Sequence, residues 1–284
     1  MLIIKIIGGL GNQLFQYAYC RNVANYYGES FALDTSTFES YKLHNLHLNS
    51  LNIKERYATQ NEVAMALNKR LSIIDYIKPY YRRSYIKERT LNFDANMLKV
   101  PPNAYLDGYW QSEKYFKPIE HIIRREFMVK SNPDRDNLKM MAKILKSKSS
   151  VCIHVRRGDY VSNQLTNQVH GTCSLEYYQE AVDYIGKKIS EPHFYIFSDD
   201  PSWTKANLKF KYPTTFVTHN AKAGHEDLRL MGLCQHFIIA NSTFSWWGAW
   251  LSSNRSKIVV APNQWYKTTD RPTDDLLPNS WVRL

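Results

Sequence analysis

Apolar runs of strand length alternate with stretches of helical period along most of this chain. LIIKII (2–7) reads as a strand, GGLGNQ (8–13) as a loop and LFQYAYCRNVANYYG (14–28) as a helix, and SFALD (30–34) as a second strand closing a β-α-β unit. From about 36 to 100 the pattern is less regular. Helices are expected around 60–72, in a region with many polar and aromatic residues. NAYLDGYW (103–110) returns to strand character, and 113–147 is mostly helical and charged.

After 147 the alternation becomes regular. Strands are predicted at 150–155, 193–198, 214–218, 236–240 and 257–262, with helices at 175–187, 225–235 and from 242. Strand alternating with helix implies a parallel sheet covered on both faces. The chain therefore reads as α/β, with two lobes, 1–147 and 148–284, whose parallel sheets face each other across a cleft. Ligands of open parallel sheets bind beyond the carboxyl ends of the strands, which directs attention to the residues just past each strand.

At 284 residues the chain can bury a substantial core without a metal or disulfides. Its four cysteines, Cys20, Cys152, Cys173 and Cys234, form no CxxC pair and read as reduced thiols of a reducing compartment. MLIIKII lacks a preceding basic region and is read as the first strand, not as a signal sequence. No stretch approaches the roughly 20 apolar residues of a membrane span. The net charge of +11 favours an anionic partner. No long basic run, zinc-finger or RNP signature supports nucleic acid as that partner, while attraction to a membrane surface stays open as a secondary property.

Four strand ends carry candidate chemistry. In GGLGNQLFQYA (8–18) Leu14 stands where the dinucleotide fingerprint needs a third small residue, so NAD binding is not expected. The loop reads either as a tight turn or as a backbone that approaches a ligand closely, with the amide of Asn12 available to it. In HVRRGDY (154–160), strand alternation sends Cys152, His154 and Arg156 to one side and Val155 and Arg157 to the other. One arginine fork beside His154 matches phosphate geometry, and Arg157 is assigned a bracing role. Asp159 reads as a brace or a base. NSTFSWWGAWL (241–251) places Phe244, Trp247, Gly248 and Leu251 on one helix face, with capping oxygens from Asn241, Ser242 and Thr243; it reads as a capped core helix or a phosphate cradle. FSDD ends in Asp199 and Asp200, adjacent acids expected to cap the following turn and not to hold a metal. Asp227 is expected in the first turn of its helix. No GxSxG, HExxH, P-loop or Cys-His metal spacing occurs.

Taken together, GGLGNQLFQYA, GYWQSEKYF (108–116), HVRRGDY, FSDD and EDLRLMGLCQHFIIANSTFSWWGAWL resemble glycosyltransferase family 11, the α-1,2-fucosyltransferases, in a bacterial-type form. The resemblance implies a GT-B fold, with GDP-β-L-fucose held chiefly by the C-terminal lobe and a β-galactoside acceptor by the N-terminal one. It implies inversion at the anomeric carbon, a Fuc-α-1,2-Gal product and no metal or other cofactor. By this resemblance Arg156 contacts the β-phosphate with His154 beside it, Asp227 pairs with the guanine edge, and Ser242, Thr243 and Phe244 form the phosphate loop. Asn12 and Gly11 lie near the reaction centre. The acid nearest the arginine motif is Asp159, since 161–175 holds none. The expected setting is cytoplasmic, peripheral at the inner membrane face, with a lipid-linked glycan among the acceptors. The competing readings are another linkage or GDP-sugar, a non-catalytic GDP-sugar binder, and an RNA-binding protein.

Overall fold

The computed structural model describes residues 1–40, 44–69, 73–268 and 271–284, with the side chains of Asp159 and Leu165 outside the description. The chain divides into two compact units, one comprising Met1–Lys130 with Pro272–Leu276, the other Ser131–Arg271 with Leu277–Leu284.

The first unit contains β1 (Leu2–Lys5), α1 (Leu10–Tyr27), β2 (Phe31–Asp34), α2 (Gln60–Asn68), α3 (Ile73–Ile77), β3 (Tyr85–Lys87), β4 (Tyr105–Asp107) and α4 (Glu120–Glu126). Its four strands form a parallel sheet in the order β2-β1-β4-β3. Leu2 pairs with Phe31, and Ile3 with Tyr105. β1 is buried from Leu2 to Ile4 on both faces of the sheet, which is why these positions read as a continuous apolar run. Of the helices expected around 60–72, α2 is present, residues 70–72 lie outside the description, and α3 follows beyond that range. Thr59 and Glu62 close a reciprocal capping box at the start of α2.

Helix α1 starts at the glycine loop, four residues before the predicted start, and ends at Gly28, whose left-handed conformation (φ 66°) lets its N–H reach the carbonyls of Ala24 and Asn25. It is buried from Gln13 to Ala24. Its polar side chains are accordingly bonded: Asn22 donates to the Tyr115 carbonyl, and Arg21 pairs with Glu126 at 3.1 Å, which also accepts from the Tyr17 hydroxyl.

The second unit contains α5 (Arg135–Lys146), β5 (Ser149–Val155), α6 (Gly158–Ser162), α7 (Gln164–Val169), α8 (Leu175–Lys188), β6 (Pro192–Ser198), α9 (Pro201–Asn207), β7 (Thr214–Val217), α10 (Gly224–Gly232), β8 (His236–Ile238), α11 (Thr243–Leu251), β9 (Val259–Ala261) and β10 (Val282–Arg283). The parallel sheet runs β10-β9-β8-β5-β6-β7. Central β5 is buried along its whole length. Val151, Ile153 and Val155 pack with Tyr178, Ala181, Val182 and Ile185 of α8. The alternate residue His154 meets Phe244 of α11, so the two-residue alternation expected of this strand holds.

The expected boundary at 147 moves to Lys130/Ser131. Helix α5, placed with the N-terminal half by its position in the chain, belongs with the C-terminal unit: Asn137 exchanges hydrogen bonds with Asn220, and the Tyr195 hydroxyl donates to the Lys143 carbonyl. Conversely, Pro272–Leu276 returns to the first unit, where Asp275 accepts from the Phe93 N–H and pairs with Lys114, and Asp274 accepts from Asn92. Among the described residues, no helix is long and apolar enough to cross a membrane.

Candidate active site

In the first unit the chemistry gathers at the β1–α1 loop. Gly8 has φ +84°, and a Cβ there would lie 2.7 Å from the Asn12 amide nitrogen, so Gly8 is the position where the turn requires glycine. Side-chain amides then tie the loop down. Gln13 donates to the carbonyls of Gly8 (2.7 Å) and Asn45 (2.8 Å) and accepts from the His47 N–H. Gln16 accepts from the Ile7 N–H and donates to the Gly108 carbonyl. Gln111 donates to the Asn12 oxygen at 3.0 Å, which orients that amide.

Residues 108–111 therefore link α1 to the end of β3. There the Glu88 carboxylate accepts from the N–H groups of Tyr109 (2.6 Å) and Trp110 (3.0 Å), and Gly108 leaves room for it, since a Cβ would fall 2.4 Å from that of Glu88. Burial pushes the Glu88 carboxyl up to about 7 against the opposing pull of those two N–H groups, and Asp107 adds to the rise. Trp110 sits at φ +56°, a conformation rare for a bulky residue, and is held by full burial and by stacking on Tyr19 at 4.3 Å.

In the second unit the β5–α6 loop is held by ion pairs. Arg156 Nη1 lies 2.9 Å from Asp199 Oδ2, with its side chain a quarter exposed and its guanidinium 5.4 Å from the centre of the Tyr160 ring. The Arg157 N–H donates to the other Asp199 oxygen (2.8 Å), while its side chain pairs with Asp200 (3.2 Å) and lies over Trp203 at 3.9 Å. Gly158 completes the arrangement, because a Cβ there would meet Asp199 at 2.6 Å. Asp200 also caps α9 by accepting from the Trp203 N–H. The adjacent acids after β6 thus hold one arginine each, and Arg157 has the bracing contacts expected of it. The side chain of Asp159 lies outside the described residues.

His154, 4% exposed, is kept neutral: burial lowers its pKa to about 4, outweighing the attraction of Asp199, and Arg156 lowers it further. Its Nδ1 is buried with no hydrogen-bond partner among the described residues. The ring stands 5.5 Å from that of Phe244, and a Cβ on Gly224 at the start of α10 would be 3.9 Å from Phe244. Phe244 therefore joins the His154 strand end to the helix that carries Asp227. Asp227 accepts from the Asn220 amide at 3.0 Å. Its carboxyl is pushed up to about 7 by burial, with Asn220 opposing and Glu226 adding to the rise. Asn220 is itself locked to the fully buried Asn137 by two amide bonds of 2.8 and 3.0 Å.

One expectation fails at α11. Ser242 occupies the N-cap position but makes no side-chain capping bond. Asn241 does not cap the helix either: its amide donates to the carbonyls of His170, Gly171 and Trp265 and accepts from the Cys173 thiol, fastening three loop segments together. The apolar stripe is also wider than expected, because Trp246 and Trp250 are buried along with Trp247.

Of the candidate residues, Arg156, His154 and Phe244 are brought together, with Asp227 one helix turn beyond Gly224. Asn12 and Gly11 lie in the first unit. Glu88, Asn137 and Asn220 were missed: Asn220 follows β7 in a polar run that marks a strand end, whereas Glu88 and Asn137 carry no local signal.

The family model of glycosyl transferase family 11 matches residues 1–284, the whole chain. The chain belongs to that family. This family 11 member is 32% identical to the alpha-1,2-colitosyltransferase of Escherichia coli, across 100% of this chain and 99% of the relative. It is 30% identical to the O-antigen biosynthesis glycosyltransferase WbnK of Escherichia coli, across 98% of each. A galactoside 2-alpha-L-fucosyltransferase of Caenorhabditis elegans is 28% identical over 63% of this chain and 52% of its own length. Among solved structures, NodZ alpha-1,6-fucosyltransferase co-crystallized with GDP superposes with a TM-score of 0.51 at 13% identity, covering 87% of this chain and 91% of that one. A mutant of Arabidopsis thaliana FUT1 in complex with GDP gives 0.53 at 11% identity, covering 98% and 72%. These likenesses are of fold: the family 11 chain has the GT-B fold, built from two Rossmann-like α/β units.

Proposed function

We propose that this family 11 glycosyltransferase moves L-fucose from GDP-β-L-fucose to the 2-hydroxyl of a β-galactoside with inversion, in glycan or O-antigen synthesis. The observation that carries the reading is Arg156, a guanidinium fixed by Asp199 at the carboxyl end of the central strand yet still a quarter exposed. A guanidinium is a planar fork of N–H donors that matches phosphate oxygens, and a fixed cation stabilises a departing diphosphate without reorganising.

In this reading the galactose 2-oxygen forms its bond to fucose C1 as the bond from C1 to the β-phosphate oxygen breaks. The electron pair leaves on GDP, whose growing charge meets Arg156. His154, neutral at physiological pH, acts beside the diphosphate as a hydrogen-bonding ring and not as a second cation. The Asp227 carboxylate accepts from the guanine edge, and Asn12, oriented by Gln111, hydrogen-bonds near the reacting sugar. Gly11, Ser242, Thr243 and Phe244 complete the donor contacts. The proton of the 2-hydroxyl passes to a carboxylate, for which Asp159 is proposed. In this reading the reaction runs without a metal, which is supported by the engagement of Asp199 and Asp200 with the two arginines and the start of α9.

A second donor is favoured by one finding. The relative with 32% identity over the whole chain is named for colitose, a 3-deoxy-L-fucose, with the same α-1,2 linkage. The two donors differ at a single hydroxyl, so the same phosphate and guanine contacts serve both.

The test is transfer from GDP-fucose and GDP-colitose to a panel of β-galactosides in excess EDTA, with the product linkage read by NMR. An α-1,2 product from either donor is expected. GDP binding without transfer to any acceptor would reject the catalytic reading, and loss of activity in EDTA would reject metal independence.

A further inference from the structure

Helix α3 is built inside out. In a surface helix the charged side chains face water and the apolar ones face the core. Here Asp75, the one charged residue of IIDYI, is buried at 5% exposure, while Ile73, Ile74, Tyr76 and Ile77 are 82%, 68%, 75% and 76% exposed. The inversion is enforced by bonds. The Asp75 carboxylate accepts from the Ser84 N–H at 2.9 Å, from the Ser84 hydroxyl at 2.9 Å and from Lys78 at 3.2 Å. Arg83 closes the other end by donating to the carbonyls of Tyr76 (2.9 Å) and Lys78 (3.2 Å). With its acid anchored inward, the helix has no rotation that hides the isoleucines.

The charge along this segment is predominantly positive. Between residues 73 and 89 stand Lys78, Arg82, Arg83, Lys87 and Arg89 against two acids, Asp75 and Glu88. Both acids are turned to the protein, Asp75 as above and Glu88 on the N–H groups of Tyr109 and Trp110. Tyrosines accompany the cations: the Arg83 guanidinium lies 5.2 Å from the Tyr76 ring and the Arg89 guanidinium 4.3 Å from the Tyr80 ring. Exposed isoleucines, amphipathic aromatic rings and a rim of cations form a surface that seats at a bilayer interface, its apolar tips among the acyl chains and its cations among anionic headgroups.

We propose that α3 and the basic segment after it form a peripheral docking surface for a membrane bearing anionic lipids. A second copy of the chain is disfavoured as the occupant, because two such rims would place cations against cations. The proposal is independent of which sugar the enzyme transfers.

The test is sedimentation of the full chain with vesicles of phosphatidylcholine alone and with about a third phosphatidylglycerol. Binding is expected to the anionic vesicles, at least about tenfold above neutral ones, and to weaken in high salt. Ile73→Ser with Ile77→Ser, which leaves the Asp75 anchor in place, should reduce binding by about tenfold or more without changing the far-ultraviolet circular dichroism. Arg82→Glu with Lys87→Glu should abolish the preference for phosphatidylglycerol. Absence of vesicle binding by the parent chain, or equal binding by the serine variant, would overturn the proposal. So would a parent dimer in analytical ultracentrifugation that the serine variant makes monomeric, since that result would assign the patch to self-association.

Discussion

Each unit presents a strand-to-helix loop at the carboxyl end of an inner strand, and the two loops are held by different forces. The β1–α1 loop is tied by neutral amides, Gln13, Gln16 and the Asn12–Gln111 pair, at 2.7–3.1 Å. The β5–α6 loop is tied by two arginine–aspartate pairs at 2.9 and 3.2 Å. Amides fix direction with little net field, whereas ion pairs position a charge that acts over several ångströms. Under the proposed function this is a division of labour: a neutral, hydroxyl-rich sugar needs oriented partners, and a diphosphate needs a fixed cation.

The comparison can be broken at its supports. Behind the first loop, Glu126→Ala would leave Arg21 buried without its carboxylate and should destabilise the protein by about 3–5 kcal/mol, read by denaturant unfolding. At the second loop, Arg156→Ala should lower kcat/KM about 10²–10³-fold while the melting temperature changes little. Near-normal turnover by that folded variant would remove Arg156 from the leaving-group site. Returning to the first loop, Gly8→Ala puts a side chain at φ +84° against Asn12 and should cost roughly 1–3 kcal/mol, with a matching loss of activity as Asn12 moves.

Two smaller effects sharpen it. Asp227 titrates near 7 in the free protein, and its carboxylate is the form that accepts from a guanine edge. GDP affinity should therefore be full above pH 7 and fall below it, by at most about tenfold per pH unit, and Asp227→Asn should flatten the profile. Isothermal titration between pH 5.5 and about 8.5 measures both. The sign for stability is opposite. A carboxyl whose pKa is higher folded than unfolded holds its proton better in the native state, so its contribution is full at acid pH and declines as pH rises through about 7. Arg157→Ala, which loses the Asp200 pair and the Trp203 contact, should cost about 1 kcal/mol in stability and leave GDP affinity unchanged. Weaker GDP binding at an unchanged melting temperature would exchange the roles of the two arginines.

Local pattern carried much of the architecture. β1, β2 and β5 are apolar runs because parallel strands are buried on both faces, and α8 shows its period because one side packs on β5. The glycine loop is visible in the sequence as a motif, yet only its backbone conformation shows that Gly8, at φ +84°, is a loop position that requires glycine. β3 and β10 escaped because strands of three and two residues carry too little alternation to detect. At α11 the reverse occurred: an Asn-Ser-Thr run has the chemistry of a cap, but Asn241 found three carbonyls elsewhere in the fold, and those outcompeted the local helix end.

By itself the amino-acid sequence determined that this is an α/β protein with arginines, an acid and glycines at the ends of parallel strands, because strand burial and turn chemistry are local. It also carried the family, through motifs whose order survives even where each is short. Only the tertiary structure decided that Arg156 answers to Asp199, that Asp227 rests on Asn220 and Asn137, that α5 belongs with the second sheet, and that α3 turns its isoleucines outward. Each of those outcomes is a choice among hydrogen-bond and charge partners 7 to 83 residues apart, made when the chain folds back on itself and burial raises the cost of any polar group left unpaired.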